Sequence, residues 1–396
     1  MFSLFSEKKD CCACGACDNI CPQNAIEMIA DEYGFLYPRI DEKKCVECGR
    51  CFSVCNFQTT SVTSQPKYCY AAINRDDRVL MRSASGGVFG ALAKEVLDEN
   101  GVVFGCVLDE EFHPYYTFAD NEESLEPMRG TKYVHAATEK IFRTAKQYLD
   151  KGSTVLFSGL PCQIDGLYGY LGKNYDNLLT VDLICHGVSS EKLFKKYIDF
   201  LQEKTGGRIT RIFIRDKKRG WGSSIRFIYE KDGVSREKII PSRNSSYVGG
   251  FLSGEICREN CYLCKYASAY RVGDFTIGDY WGVSQEHPEL FENRRHDYKK
   301  GVSVLLVNSE KAKAVLDKCK YLDIFPTQLK KIAEHNANLV RPTFCDSASR
   351  QRTLNTVEQL GYRAYDENFM KTLGIKKYVN LLVNKCPRIL KDLIKK

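Results

Sequence analysis

The stretch Cys11–Pro22, CCACGACDNICP, decides how the chain is read, because Cys45–Asn56, CVECGRCFSVCN, repeats its pattern. Cys11, Cys14, Cys17 and Cys21 recur 34 positions later as Cys45, Cys48, Cys51 and Cys55. Both runs have the spacing C-x2-C-x2-C-x3-C. A cubane 4Fe-4S cluster must be gripped at four iron corners. Three thiolates two residues apart wrap three corners from one loop, and the fourth arrives from elsewhere. With this spacing the fourth cysteine of each run serves the other cluster. The expected sets are therefore Cys11, Cys14, Cys17 with Cys55, and Cys45, Cys48, Cys51 with Cys21. Cys12 breaks the repeat and reads as a bystander.

The first run, closed by Pro22, resembles the bacterial two-cluster ferredoxins. Zinc favours two CxxC pairs around a spacer, which these runs match poorly. A disulfide framework needs an export signal, and Met1–Asp10 is too short for one ahead of Cys11. Crossed ligation also staples a module of about 50 residues, a size that buries little apolar core by itself.

The 396 residues imply this small module plus one large or two medium domains. A hydrophobic fraction of 43% supports packed cores and excludes a disordered chain. Nineteen cysteines without an export signal point to a reducing, cytoplasmic setting, and no apolar run reaches membrane-spanning length. The formal charge of +8 reads as counter-charge for anionic cofactors, since no nucleic-acid-binding motif accompanies it.

Thr59–Lys67, TTSVTSQPK, reads as a linker. From Tyr68 strands alternate with helices: YCYAAI, a helix from Val88 to Asp98, VVFGCVL, a helix over Glu139–Lys151, TVLFS, LLTVDLIC, and an amphipathic helix over Ser190–Lys204. Alternation of this kind implies a mixed α/β domain with a buried sheet. After Gly206, RITRIFIRD, SIRFIYEKDG and SREKIIP predict an antiparallel hairpin around Asp232-Gly233. DFTIGDYWG and GVSVLLVN then read as strands, with helices to the end. The expected divisions are 1–58, 59–67, 68–205, 206–345 and a basic helical tail over 346–396. Lys376–Lys396 carries seven Lys or Arg among apolar residues, and Pro387 interrupts it.

Two further places carry chemistry. Ser83–Gly87, SASGG, lies between a strand and a helix start, where free N–H groups and the dipole favour an anion. Arg129–Tyr133 offers a turn with a hydroxyl and a cation. Cys257, Cys261 and Cys264 follow C-x3-C-x2-C and predict a third metal site. Cys162 is the preferred fourth ligand and Cys185 the alternative, both just past predicted strand ends. Each of these cysteines has a plainer reading as a small buried side chain.

In this order, SASGGVFGAL, RGTKYV, FSGLPCQIDGL, VDLICHGVSS and CRENCYLCKYASAYRVGDFTIGDYWG resemble the beta subunit of coenzyme F420 hydrogenase/dehydrogenase. The resemblance spans about Lys8 to Phe344. It implies a ferredoxin-like module ahead of a mixed α/β flavin-binding domain, with FAD and two or three 4Fe-4S clusters. It places Ser85, Gly86, Gly87, Gly130, Thr131 and Lys132 near the flavin. His186 becomes a proton donor or flavin neighbour, against a plainer role as a hydrogen-bonded core histidine. The usual proline after His-Gly-Val is Ser189 here. The implied activity is an oxidoreductase passing electrons between a one-electron carrier such as ferredoxin and a two-electron organic substrate or coenzyme F420. Similar bacterial proteins occur in polysaccharide biosynthesis. The alternative is a non-catalytic electron-relay subunit.

Overall fold

The two cysteine runs fold alike. Ala13 and Gly15 in the first adopt left-handed backbone at φ 54° and 77°, and their counterparts Glu47 and Gly49 do so at 52° and 70°. Each loop then enters a short helix, Ala16–Ile20 and Arg50–Ser53. Between them lies one hairpin, β1 (Ile26–Ala30) against β2 (Leu36–Ile40), registered Ile26 to Ile40. The computed structural model describes residues 4–59, 62–292 and 296–385.

The rest of the chain is built on one eight-stranded sheet. Its strands are β3 (Tyr68–Asn74), β4 (Val102–Leu108), β5 (Pro114–Ala119), β6 (Val155–Ser158), β7 (Leu178–Leu183), β11 (Phe275–Asp279), β12 (Ser303–Val307) and β13 (Leu322–Pro326). They lie in the order β13-β3-β12-β11-β7-β6-β4-β5. β4, β6, β7 and β11 run parallel, and the outer pairings are antiparallel. The central strands are buried on both faces, and they read as unbroken apolar runs because helices cover both sides. Strands from both sides of Gly206 share this sheet, so 68–205 and 206–345 share a core.

A second sheet, β8 (Arg208–Asp216), β9 (Ser224–Lys231) and β10 (Val234–Pro241), has the order β10-β9-β8. Asp232 and Gly233 both take positive φ, which matches the right-handed twist of a two-residue hairpin. The helix Val88–Asp98 has the predicted bounds. Glu191–Thr205 is capped by Ser190, whose hydroxyl accepts from the Leu193 amide at 3.2 Å. Several elements lie outside the sequence-based reading, among them β5, the helix Pro161–Leu171, and β13, which was expected to be helical. Thr60 and Ser61 of the expected linker lie outside the described residues, while Ser64 pairs with Arg271. The helix Lys376–Lys385 forms as expected, and the remainder of the basic tail, with Pro387, lies outside the described residues. Among the described residues no helix is long and apolar enough to cross a membrane.

The small module docks through its first loop. Arg143 donates to the Asn19 and Cys21 carbonyls at 2.7 Å each, and Thr138 donates to the Cys14 carbonyl at 3.0 Å. A Cβ at Gly15 would stand 1.9 Å from Thr138 Oγ1, whereas nothing lies within 4 Å of one at Gly49. Gly166 likewise lets the helix Pro161–Leu171 close on Cys14, since a Cβ there would sit 2.9 Å from the Cys14 Cβ. The first loop is thus buried in the body and the second faces water.

Candidate cluster and cofactor sites

Cys11, Cys14, Cys17 and Cys55 line one cavity, with Phe5, Met28, Pro38 and Phe57 closing it. Burial pushes the Cys17 thiol well up, and the neighbouring Cys11 and Cys55 sulfurs push it further. The Cys51 thiol is raised by burial and then by Cys21 and Cys45, while Cys48 is exposed. Cys55 of the second run thus joins the first loop's cysteines, and Cys21 of the first run lies close enough to act on the Cys51 thiol.

Cys162, Cys185, Cys261 and Cys264 line a second cavity together with Cys12, His135 and Arg258. Cys162 enters on the first turn of the helix Pro161–Leu171, after β6. Cys185 follows β7. The 3-10 helix Glu259–Leu263 carries Cys261, and Cys264 follows as its C-cap; three residues per turn brings positions i and i+3 to one side. Cys257 falls outside the lining. Arg258 caps that helix in extended conformation, so the chain turns before it, and the Cys257 sulfur points at the Phe251 carbonyl at 3.8 Å. It also packs on Gly187, where a Cβ would meet it at 2.8 Å and φ is 147°, so glycine is needed there. Two of the three cysteines expected to act together line the cavity beside Cys162 and Cys185, while the Cys257 sulfur lies outside the lining yet close enough to Cys261 and Cys185 that they push its thiol up.

Arg271 fixes this arrangement. Its guanidinium donates to the Tyr266 and Ser268 carbonyls at 2.9 and 3.0 Å, and to the Leu183 carbonyl at 2.8 Å. It thereby ties the loop after Cys264 to the end of β7. Two nitrogen atoms in this cavity's lining residues, His135 Nε2 and Arg258 Nη2, are buried without a hydrogen-bond partner among the described residues. Four soft thiols, an unused guanidinium N–H and an imidazole suit an anionic iron-sulfur cluster, whose sulfurs accept hydrogen bonds. Among the described residues no three His, Cys, Asp or Glu side chains converge on a single-ion site.

Cys12, a bystander by its spacing, lies between the two cavities and lines both. Its sulfur interacts with those of Cys14 and Cys162 and lies 3.6 Å from Asn56 Oδ1.

A third cavity, of about 530 Å³, opens at the C-terminal ends of the parallel strands. Ser85, Gly87, Gly130, Thr131, Lys132 and His186 line it. Gly86 does not. Its N–H donates to Ser303 Oγ at 2.8 Å, and a Cβ would stand 2.2 Å from the Ala72 carbonyl, so it seats the turn against the sheet. Gly87, at φ 81°, caps the helix Val88–Asp98, whose first residues Val88 and Phe89 also line the cavity. The Lys132 ammonium donates to the carbonyls of Pro127, Met128 and Gly130 at 3.0, 2.9 and 3.1 Å, closing the turn on itself. Burial lowers its pKa to about 8.

His186 Nε2 lies 3.0 Å from the Phe251 carbonyl and Nδ1 lies 3.3 Å from the Asn338 side chain. Burial lowers its pKa, and its Nε2–H donates to the Phe251 carbonyl. The ring thus both lines the cavity and is hydrogen-bonded to its wall. Arg215, Asp279 and Trp281 also line the cavity and were not singled out as site residues. Arg215 grips Asp279 with both terminal nitrogens, and Trp221 donates to the same carboxylate at 3.0 Å. Trp281 stacks on Trp221 with centroids 4.9 Å apart and remains 44% exposed. GDYWG carries the signal for two of them, beneath its more obvious strand character.

The third cavity and the four-cysteine cavity share a wall made of Leu160, Cys185–Val188 and Asn338. The spaces therefore follow one another: an open cofactor-sized cavity, a four-cysteine cavity, Cys12, and the buried half of the small module.

Comparison with known proteins matches residues 69–143 to the N-terminal and 152–329 to the C-terminal model of the coenzyme F420 hydrogenase/dehydrogenase beta subunit. Residues 10–59 match a 4Fe-4S dicluster domain. A subunit of the F(420)H(2) dehydrogenase of Methanosarcina mazei is 23% identical over 285 residues, covering 68% of this chain and 75% of its own. A chain of the F420-reducing [NiFe] hydrogenase complex from Methanosarcina barkeri is 16% identical, with a TM-score of 0.46 over 76% of this chain and 95% of its own. With both halves of the family and the dicluster domain matched in order, the chain belongs to the family of coenzyme F420 hydrogenase/dehydrogenase beta subunits and is an iron-sulfur protein of electron transfer.

Proposed function

We propose that the protein is an FAD- and 4Fe-4S-dependent oxidoreductase, linking a one-electron carrier of the ferredoxin type to a two-electron organic substrate or coenzyme F420. The observation that carries this reading is the unbroken sequence of spaces joined by Leu160, Cys185–Val188 and Cys12. Cys11, Cys14, Cys17 and Cys55 would hold one cluster, and Cys45, Cys48, Cys51 and Cys21 the second. Cys162, Cys185, Cys261 and Cys264 would hold a third, with Cys257 left as a packed thiol. Clusters exchange single electrons, and a bound flavin supplies the change from single electrons to pairs.

The chain's own residues do the positioning. The amides after Gly87 would offer donors to a flavin's phosphates, and Gly86 holds that turn on the sheet. Lys132 keeps the Arg129–Tyr133 turn closed. His186 fixes the wall between the cofactor cavity and the cysteines through Phe251. Arg215 and Asp279 brace Trp221, which stacks beneath the partly exposed Trp281 and offers a flat acceptor an aromatic surface.

The test is anaerobic purification with iron, sulfide, zinc and flavin counted per chain, followed by turnover with reduced ferredoxin or dithionite and candidate acceptors. About twelve irons and one FAD with turnover are expected. About eight irons and no flavin would overturn the reading. Full cofactor content without turnover by the isolated chain would favour the relay subunit.

A further inference from the structure

Arg258 is 1% exposed, and among the described residues no carboxylate forms an ion pair with it. The neighbouring Glu259 pairs with Arg350 at 3.4 Å instead. The Arg258 guanidinium lies over the Tyr37 ring at 4.1 Å, and Nε donates to the Cys11 carbonyl at 2.8 Å. Nη2 has no partner. A permanently charged, fully buried group is retained only beside a compensating anion, and one ring face with one carbonyl does not replace that anion.

The position of Arg258 says which anion. Its backbone amide bonds the Val188 carbonyl at 2.9 Å, its own carbonyl accepts from the Cys261 amide at 2.9 Å, and its side chain lines the four-cysteine cavity while bonding Cys11. It stands within electrostatic reach of the Cys11, Cys12 and Cys261 sulfurs. A thiolate-ligated 4Fe-4S cluster carries about −2 when oxidised and about −3 when reduced. We infer that Arg258 is the shared counter-ion of the first and third cluster sites, bound to both by charge and donating from Nη2 toward the third. This rests on the cluster assignment proposed above. A fixed cation stabilises the more negative, reduced form, so Arg258 raises both reduction potentials together. The second site, at the exposed loop of Cys48, is screened by water and does not feel it.

The experiment compares Arg258→Gln and Arg258→Lys with wild type, reading iron and sulfide content and the potentials of the separate clusters by EPR-monitored titration. In Arg258→Gln the first and third potentials are expected to shift to more negative values while the second stays. Arg258→Lys is expected to restore most of that shift, because charge is kept although the fork is lost. Loss of the third cluster's iron in the glutamine variant alone, with lysine retaining it, also supports a charge requirement. Unshifted potentials in Arg258→Gln, an equal shift in all three, or equal damage from lysine and glutamine would overturn the proposal. Wild-type protein with about eight irons would overturn the cluster assignment itself, a result distinct from any of these.

Discussion

The Arg271 guanidinium donates to Asp182 at 2.9 Å with the two side chains 1% and 0% exposed, joining the loop after Cys264 to β7 at the strand that leads to Cys185. Removing one partner of a buried pair leaves the other charge unpaired, which costs about 3–5 kcal/mol. Arg271→Gln is therefore expected to lower the thermal midpoint and to lose about four irons, those of the third cluster. The two module clusters should remain. Unchanged iron and midpoint would show that the ion pair does not set the cysteine geometry.

The placement of Cys257 yields a sharper contrast. Cys185→Ala and Cys162→Ala are each expected to lose about four irons per chain, while Cys257→Ala keeps the wild-type number. Iron and sulfide analysis after anaerobic purification decides it. Loss of iron on substitution of Cys257 would return that residue to the ligand set.

Gly86 and Gly49 separate close packing from backbone strain. A Cβ at Gly86 meets the Ala72 carbonyl at 2.2 Å and the Ser303 amide nitrogen at 2.5 Å, both backbone atoms that cannot swing aside. Gly86→Ala should cost about 1–3 kcal/mol and reduce flavin retention. Gly49→Ala meets nothing and bears only its φ of 70°, roughly 1–2 kcal/mol, with flavin retained. Flavin per chain and thermal midpoints of the two variants are the readout, and flavin loss at Gly49 would contradict it.

Lys217 gives a pH signature. Its ammonium is buried and donates to the Leu80 carbonyl at 2.6 Å and to Ser85, and burial lowers its pKa to about 7. The unfolded chain keeps this proton up to a pKa of about 10.4. Between these values the unfolded state binds more protons, so stability rises with pH across that window. The burial penalty is fully present below about pH 7. Relative to Lys217→Met, wild type should gain thermal midpoint between about pH 7 and about pH 9.5, and parallel curves for the two proteins would refute the assignment.

Much of this protein was legible along the chain. The repeat of Cys11–Cys21 at Cys45–Cys55 set the module, because covalent ligand spacing is a local property and the left-handed turns at Gly15 and Gly49 follow from it. The helix Val88–Asp98 and the hairpin at Asp232-Gly233 were equally local, resting on periodicity and turn chemistry. The strands β5 and β13 were missed because both are sheet edges, where half-exposed sequences such as LDIFP lose the apolar run that marks a central strand.

The sequence by itself determined that cysteines of two kinds are present: eight in a repeated pattern and others collected near Cys257. Only the tertiary structure decided which of the latter meet. Cys162, Cys185 and the pair Cys261 and Cys264 come from three separate segments. They converge because β6 and β7 run parallel and end at the same edge, while Arg271 holds the third segment against them. It also turned Cys12 from an interruption of a repeat into the contact between two cavities, and left Arg258 buried without a carboxylate among the described residues. Sequence spacing records bonds along the chain, whereas a site built from separate segments depends on strand order and packing, which no local pattern encodes.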